Sequence, residues 1–289
     1  MITPRTRALL DRYALASRSL SRNSGERLAS EAGQSVEFYD FRPYQAGDEL
    51  RYVDWRVYGR TGRLYTRLYQ AERNISLHVV LDTSRSMSKG HKARFSRVLA
   101  QLLSYAAQRD SVSQVHLFDG RQSRPAQGRG RVGEVWSFIE AASEAPEVGT
   151  QPVQALKKFA LTTQFPAGAG LALIISDLFD EASWQPALAA LKARGLDAGF
   201  LQVMAVEDLE PEPGQLELED LETGEKLRVG PDEVRAYRQA VHTFIDHTRR
   251  AVLQAGFRHT LLKVGDEPDD VLERHAFAEL IRAGILVKR

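Results

Sequence analysis

From Ile75 onward, short apolar runs rich in β-branched residues alternate with stretches whose apolar residues recur every three or four positions. This is how parallel βαβ units read in a sequence, because a strand covered by helices on both faces has no polar side to show. The runs ISLHVVL, SQVHLF, LALIIS, AGFLQVMAV and FRHTLLKV are predicted strands. Between them, ARFSRVLAQLLSYAAQR, VGEVWSFIEAAS, PVQALKKFAL, ASWQPALAALKAR, VRAYRQAVHTFIDHTRRAVLQAG and DDVLERHAFAELIRAG are predicted helices. The expected architecture is α/β, an open, doubly wound and mostly parallel sheet whose ligands sit at the carboxyl ends of the strands.

Two segments break the alternation. Residues 1–74 are predicted to form a separate arginine- and aromatic-rich region, with a helix around Thr6–Leu20 followed by short strands and hairpins. Residues 207–233 read as a β-hairpin inserted into the sheet domain, which otherwise spans 75–289; QLELEDLETGEKLRV alternates around a Glu-Thr-Gly-Glu turn. The formal net charge of +1 conceals the contrast between these segments. Residues 1–74 carry thirteen arginines, no lysine and nine acids, whereas residues 207–233 hold eleven acids against Lys226 and Arg228. Both can be solvated surface, or charge-complementary docking surfaces.

Zero cysteines exclude disulfides, thiolate metal sites and a cysteine nucleophile, so a bound metal must be held by oxygen or imidazole. The strand ISLHVVL runs directly into Asp82-Thr83-Ser84-Arg85-Ser86. In an extended loop, positions i, i+2 and i+4 point the same way, so Asp82, Ser84 and Ser86 would offer one carboxylate and two hydroxyls to one point. Such donors suit magnesium, manganese or calcium. The alternative reading is that Ser86 or Ser88 caps the next helix. Thr150, just before the helix PVQALKKF, and Asp177, at the end of LALIIS, would reach the same sheet edge.

These five positions resemble the metal-ion-dependent adhesion site (MIDAS) of von Willebrand factor A domains, which combines an Asp-x-Ser-x-Ser loop with a later threonine and a later aspartate. The resemblance implies that Ser84, Ser86 and Thr150 contact the metal closely while Asp82 and Asp177 act mostly through bound waters. A coordination position would stay open for an acidic side chain of a partner. The stretch from Phe38-Tyr39-Asp40-Phe41-Arg42-Pro43-Tyr44 through Gly47-Asp48, Arg51-Tyr52-Val53-Asp54-Trp55-Arg56 and Thr61-Gly62-Arg63-Leu64-Tyr65 is similar to the bacterial domain of unknown function 58 family, a likeness extending over nearly the whole chain. That resemblance implies a MoxR-type AAA+ ATPase as partner, and the open coordination position would take a client protein bearing an acidic residue.

The expected function is therefore a non-enzymatic, cytoplasmic adaptor, chaperone-like in cooperating with an ATPase to mature or remodel a client. A phosphoester hydrolase with Asp82 as nucleophile is the enzymatic alternative, but such enzymes place a second aspartate two residues later and this chain has Ser84. Gly128-Arg129-Gly130-Arg131-Val132-Gly133 has the letters of a dinucleotide fingerprint with no strand leading into it. Nucleic-acid binding through the N-terminal arginines is opposed by the nine acids among them. Asp40, Asp48 and Asp54 interleaved with Arg42, Arg51, Arg56 and Arg60 suit a structural ion-pair layer, in which Trp55 would pack and its loss would cost stability. The early helix could lie on an anionic membrane, but packing on the protein body is the expected arrangement.

Overall fold

Alternate residues of each central strand face opposite ways, and both ways are apolar. Leu77, Val79 and Leu81 enter one hydrophobic cluster together with Leu171, Leu173 and Ile175, while Val80, Ala172 and Ile174 enter another. Two buried faces require two helical layers, and the chain supplies them. The structure is a computed structural model and describes residues 2–16, 36–71, 76–89, 91–109, 111–142, 151–165, 170–180, 182–211, 216–219 and 226–289.

In chain order the elements are α1 (Pro4–Leu10), β1 (Tyr13–Leu15), β2 (Val36–Pro43), α2 (Trp55–Thr61), β3 (Tyr65–Ala71), β4 (Ser76–Leu81), α3 (Lys92–Ala107), β5 (Val112–Leu117), α4 (Val132–Ala142), α5 (Pro152–Thr162), β6 (Gly170–Ser176), α6 (Gln185–Ala193) and β7 (Asp197–Ala205). A single helical turn, Val206–Leu209, leads to β8 (Leu216–Glu219) and β9 (Lys226–Val229), then α7 (Pro231–Gln254), β10 (Arg258–Val264), α8 (Asp269–Arg282) and β11 (Leu286–Lys288). The chain divides into two units, residues 18–74 and the remainder.

In the larger unit, five parallel strands lie in the order β10-β7-β6-β4-β5. Helices α3, α4 and α8 cover one face; α5, α6 and the end of α7 cover the other. The five strands and six helices expected after residue 75 all form. The acidic segment forms the expected antiparallel pair, Leu216 opposite Val229. From β4 the chain crosses to β5 on one side, then returns past β4 to β6 and continues outward to β7 and β10. The order thus reverses between β4 and β6, which opens a crevice at their carboxyl ends. No helix among the described residues is long and apolar enough to cross a membrane.

The opening residues correct the expected helix over Thr6–Leu20. Thr3 caps α1, Pro4 starts it, and it ends at Leu10; Tyr13–Leu15 then pairs antiparallel with β11 at the other end of the sequence. Residues 17–20 lie outside the described residues. A tertiary partner overrides the helical pattern here. Ile2, Leu10 and Leu15 are buried in the cluster of α3 and α8, so this segment is part of the body of the larger unit rather than a free amphipathic surface.

In the smaller unit, β2 and β3 pair antiparallel from Val36↔Ala71 to Pro43↔Tyr65, with a bulge between Phe38 and Asp40. Asp54 caps α2: its Oδ1 accepts the amides of Arg56 and Val57, and its Oδ2 accepts Arg67 Nε at 2.9 Å. Asp48 accepts Arg42 Nη2 and Thr66 Oγ1. These bonds hold both carboxyls below the usual range, Asp54 chiefly through Arg67 and Asp48 chiefly through the Gln45 amide. Of the expected ion pairs Arg42–Asp48 forms, while Asp54 pairs with Arg67 and Arg51 with Glu49; the side chain of Asp40 lies outside the described residues, and Trp55 stands apart from these pairs. The indole is 56% exposed and makes an edge contact with Tyr58, which is also exposed.

Candidate functional site

Strands β4 and β6 run side by side with Leu81 opposite Ile175, so the residues that follow them, Asp82 and Asp177, emerge together in the crevice. The Asp82 amide continues the ladder by donating to the Ile175 carbonyl at 2.9 Å. Asp82 and Asp177 are both almost wholly buried. One carboxylate oxygen of Asp82 accepts the Ser84 amide at 2.8 Å and the other accepts Ser176 Oγ at 2.5 Å. Burial, and then the charge of Asp177, push the Asp82 carboxyl up to about 6 against the stabilising bonds from Ser176 and Ser84.

The loop after Asp82 turns through a 3-10 segment, Arg85–Ser88, and brings Ser84 Oγ within 3.0 Å of Ser86 Oγ. Neither hydroxyl caps α3, whose cap position is His91 with no side-chain bond to the helix. Met87 is buried under the site, its sulfur accepting the Asp177 amide. After Asp177 the chain reaches Asp180, whose carboxylate accepts the Val153 amide at 2.8 Å and so ties the start of α5 to this loop. Four of the five expected residues, Asp82, Ser84, Ser86 and Asp177, therefore share the crevice. Thr150 lies outside the described residues.

Three side chains that sequence reasoning passed over complete the surroundings. Ser176 bridges Asp82 Oδ2 and the Leu178 amide. Gln202 of β7 donates to the Asp177 carbonyl at 2.9 Å and pairs through its own carbonyl with His259 of β10. His259 lines a cavity of about 360 Å³ between β10 and α7. Lys92, the first residue of α3, places its ammonium 3.1 Å from Asp177 Oδ2 and 2.9 Å from Asp208 Oδ2. A signal for Lys92 was present in the sequence: it shares the inward stripe of α3 with Phe95 and Leu99, where a lysine is out of place.

As chemistry, two buried carboxylates beside two hydroxyls make an all-oxygen donor set suited to a hard divalent cation. Among the described residues there is no group of three or more histidine, cysteine or acidic side chains able to hold a metal, so a cation here would need hydroxyls, backbone carbonyls or waters beside the two carboxylates. The Ser84 hydroxyl faces that of Ser86 rather than an imidazole base.

Among known proteins, the chain is 28% identical over 221 residues to the uncharacterized protein Rv1480 of Mycobacterium tuberculosis (strain ATCC 25618 / H37Rv). The aligned region is 69% of this chain and 65% of that protein, so the chain spans under two thirds of the length of the curated relatives it matches. Similar solved structures include an aerotolerance-related membrane protein from Bacteroides fragilis (14% identity, TM-score 0.42, covering 72% of this chain and 100% of that one). A von Willebrand factor type A protein from Catenulispora acidiphila is also similar (11% identity, TM-score 0.42, covering 74% and 43%). The sequence model described as "Protein of unknown function DUF58" matches residues 40–251, most of the chain, and the protein belongs to that family.

Proposed function

We propose that the protein is a non-enzymatic interaction module that binds an acidic side chain of a partner through a divalent ion, magnesium or alternatively manganese or calcium. Asp82, Ser84, Ser86, Thr150 and Asp177 would hold the ion. The observation that carries this reading is the placement of Asp82 and Asp177 side by side, buried, at the reversal of strand order, with the hydroxyls of Ser84 and Ser86 paired beside them. An ion bound there supplies a point of attachment for a carboxylate. The chain's own part is to fix the donors: Ser176 and the Ser84 amide orient Asp82, and the Phe179 amide orients Asp177. The residue two positions after Asp82 is a serine, which leaves a phosphoryl-transfer mechanism without its carboxylic acid. The partner in this reading is a MoxR-type AAA+ ATPase, acting with this protein on an acidic client.

The test is affinity capture from extract of the native host, with magnesium and with chelator, using the natural chain and the variant Ser84→Ala with Ser86→Ala. Retention of an AAA+ ATPase by the natural chain with magnesium, lost with chelator and in the variant, is the expected result. Equal retention in all arms would remove the metal from the docking surface.

A further inference from the structure

Lys92 is buried, although it carries a charge and opens a helix. A cation at a helix N-terminus meets the positive end of the helix dipole, and burial adds a desolvation cost. Only strong local compensation keeps it there, and Asp177 and Asp208 provide it at 3.1 and 2.9 Å. The backbone is also constrained on both sides of the Lys92–Asp177 pair. Among the described residues, two that are not glycine have positive φ: His91 at 62°, directly before Lys92, and Leu178 at 59°, directly after Asp177. Leu178 is fully buried, and a bulky residue in that region is held there by its surroundings. The fold thus fixes this ammonium against this carboxylate.

We propose that Lys92 is a tethered competitor of the metal ion, an inference that rests on the metal-binding reading above. Asp82 and Asp177 bring two negative charges to the crevice, and the ammonium cancels one of them. Asp208 restores part of that charge: its Oδ2 is buried against the ammonium, but the side chain as a whole is 30% exposed, so water takes up more of its charge than it does for Asp82 or Asp177. A divalent ion then carries surplus positive charge in the crevice. It is held weakly alone and firmly when a carboxylate from outside completes the balance. Lys92 makes retention of the ion depend on an acidic partner.

The experiment is titration of the full-length protein with Mn²⁺ alone, read by electron paramagnetic resonance. The proteins compared are the natural chain, Lys92→Met, Asp208→Asn, the Lys92→Met/Asp208→Asn double variant, and Ser84→Ala with Ser86→Ala. Removing the ammonium should tighten Mn²⁺ binding by about tenfold or more, since the charge it removes lies within a few ångströms in a poorly solvated crevice. Asp208→Asn, at the more exposed partner, leaves Lys92 wholly to Asp177 and should weaken binding several-fold in the natural background and little in Lys92→Met. This second comparison decides the matter if Lys92→Met alone folds poorly. Unchanged or weaker binding in folded Lys92→Met, or an equal effect of Asp208→Asn in both backgrounds, overturns the inference. If the serine variant abolishes binding while Lys92→Met fails to tighten it, the metal reading stands and the role of Lys92 falls. Binding that ignores the serine variant, or no binding by any protein, removes both.

Discussion

Asp82 sets the behaviour of the crevice with pH. Its folded carboxyl titrates at about 6, above the ordinary 3.8, so in the metal-free protein the folded state takes up a proton that the unfolded chain does not between those values. In that window this residue makes the fold more stable as pH falls, and its contribution is lost as pH rises through about 6. Proton and dication compete for the same oxygens. Mn²⁺ affinity should accordingly drop once the pH goes below about 6, and flat affinity down to about pH 5 would place the ion elsewhere. The buried histidines act in the opposite direction. His78 and His116 lie 3.0 Å apart on neighbouring strands, against Phe159, and burial pushes them down to about 4 and about 3, with the charge of His78 adding to the fall of His116. His259 is lowered to about 4, again by burial and then by Arg249. Each of these folded values lies below the unfolded 6.5, so the stability they contribute is present above pH 6.5 and declines as pH falls toward 4. Three imidazoles outweigh one carboxylate. The unfolding free energy from urea denaturation should fall between about pH 7 and about pH 5, by on the order of 1 kcal/mol for each histidine, and the midpoint with it. A midpoint that rose instead would mean these imidazoles are charged in the folded protein. Trp55 belongs at this scale too: with its indole exposed, Trp55→Ala should change stability by no more than about 0.5 kcal/mol, measured by urea denaturation.

At the scale of elements, legibility followed length and burial. Strands β4, β6 and β7 were readable because their runs are largely apolar on both faces, and six to eight consecutive residues of each are buried, as a covered parallel strand requires. Asp82, Ser84 and Ser86 were readable from their spacing directly after a strand, although the loop does not stay extended: Ser86 lies in the 3-10 turn Arg85–Ser88, and it is this turn that brings its hydroxyl to that of Ser84. Lys92 was marked only by its place on the inward stripe of α3, and Asp208 and Gln202 by nothing local. Lys92 and Gln202 meet Asp177 from α3 and β7, and Asp208 meets Lys92 from the turn that follows β7; no local spacing links α3 to elements so much further along the chain. β1 was hidden for a related reason: three residues give no period, and its partner β11 lies at the opposite end of the chain. What anchors α1 next to it is Glu273 of α8, which is buried and accepts the Thr3 amide, Thr3 Oγ1 and Thr6 Oγ1 within 2.7–2.8 Å. Glu273→Ala strands three donors and should cost about 2–3 kcal/mol of stability in urea denaturation. A loss within error would show that α1 is held by its apolar side chains alone.

For the whole molecule, the division into units predicts how the chain can be cut. Because Ile2, Leu10 and Leu15 are part of the larger unit's core, a protein starting at residue 75 should melt at a lower temperature and expose apolar surface to a dye. Replacing residues 18–74 with a flexible linker while keeping the opening strand should preserve a single cooperative transition. Equal melting of the two versions would mean that the opening residues contribute nothing to that core. The pairing of β1 with β11 also sets a timetable. Chains are made from the N-terminus, and a strand edge left unpaired invites the wrong partner. During synthesis β1 waits until Leu286–Lys288 has emerged before its neighbour exists, whereas β2, α2 and β3 lie together within a short stretch and can assemble early. The larger unit reaches its final form only once Leu286–Lys288 has left the ribosome, so a nascent chain stalled before Leu286 is a species that a folding factor would have reason to recognise.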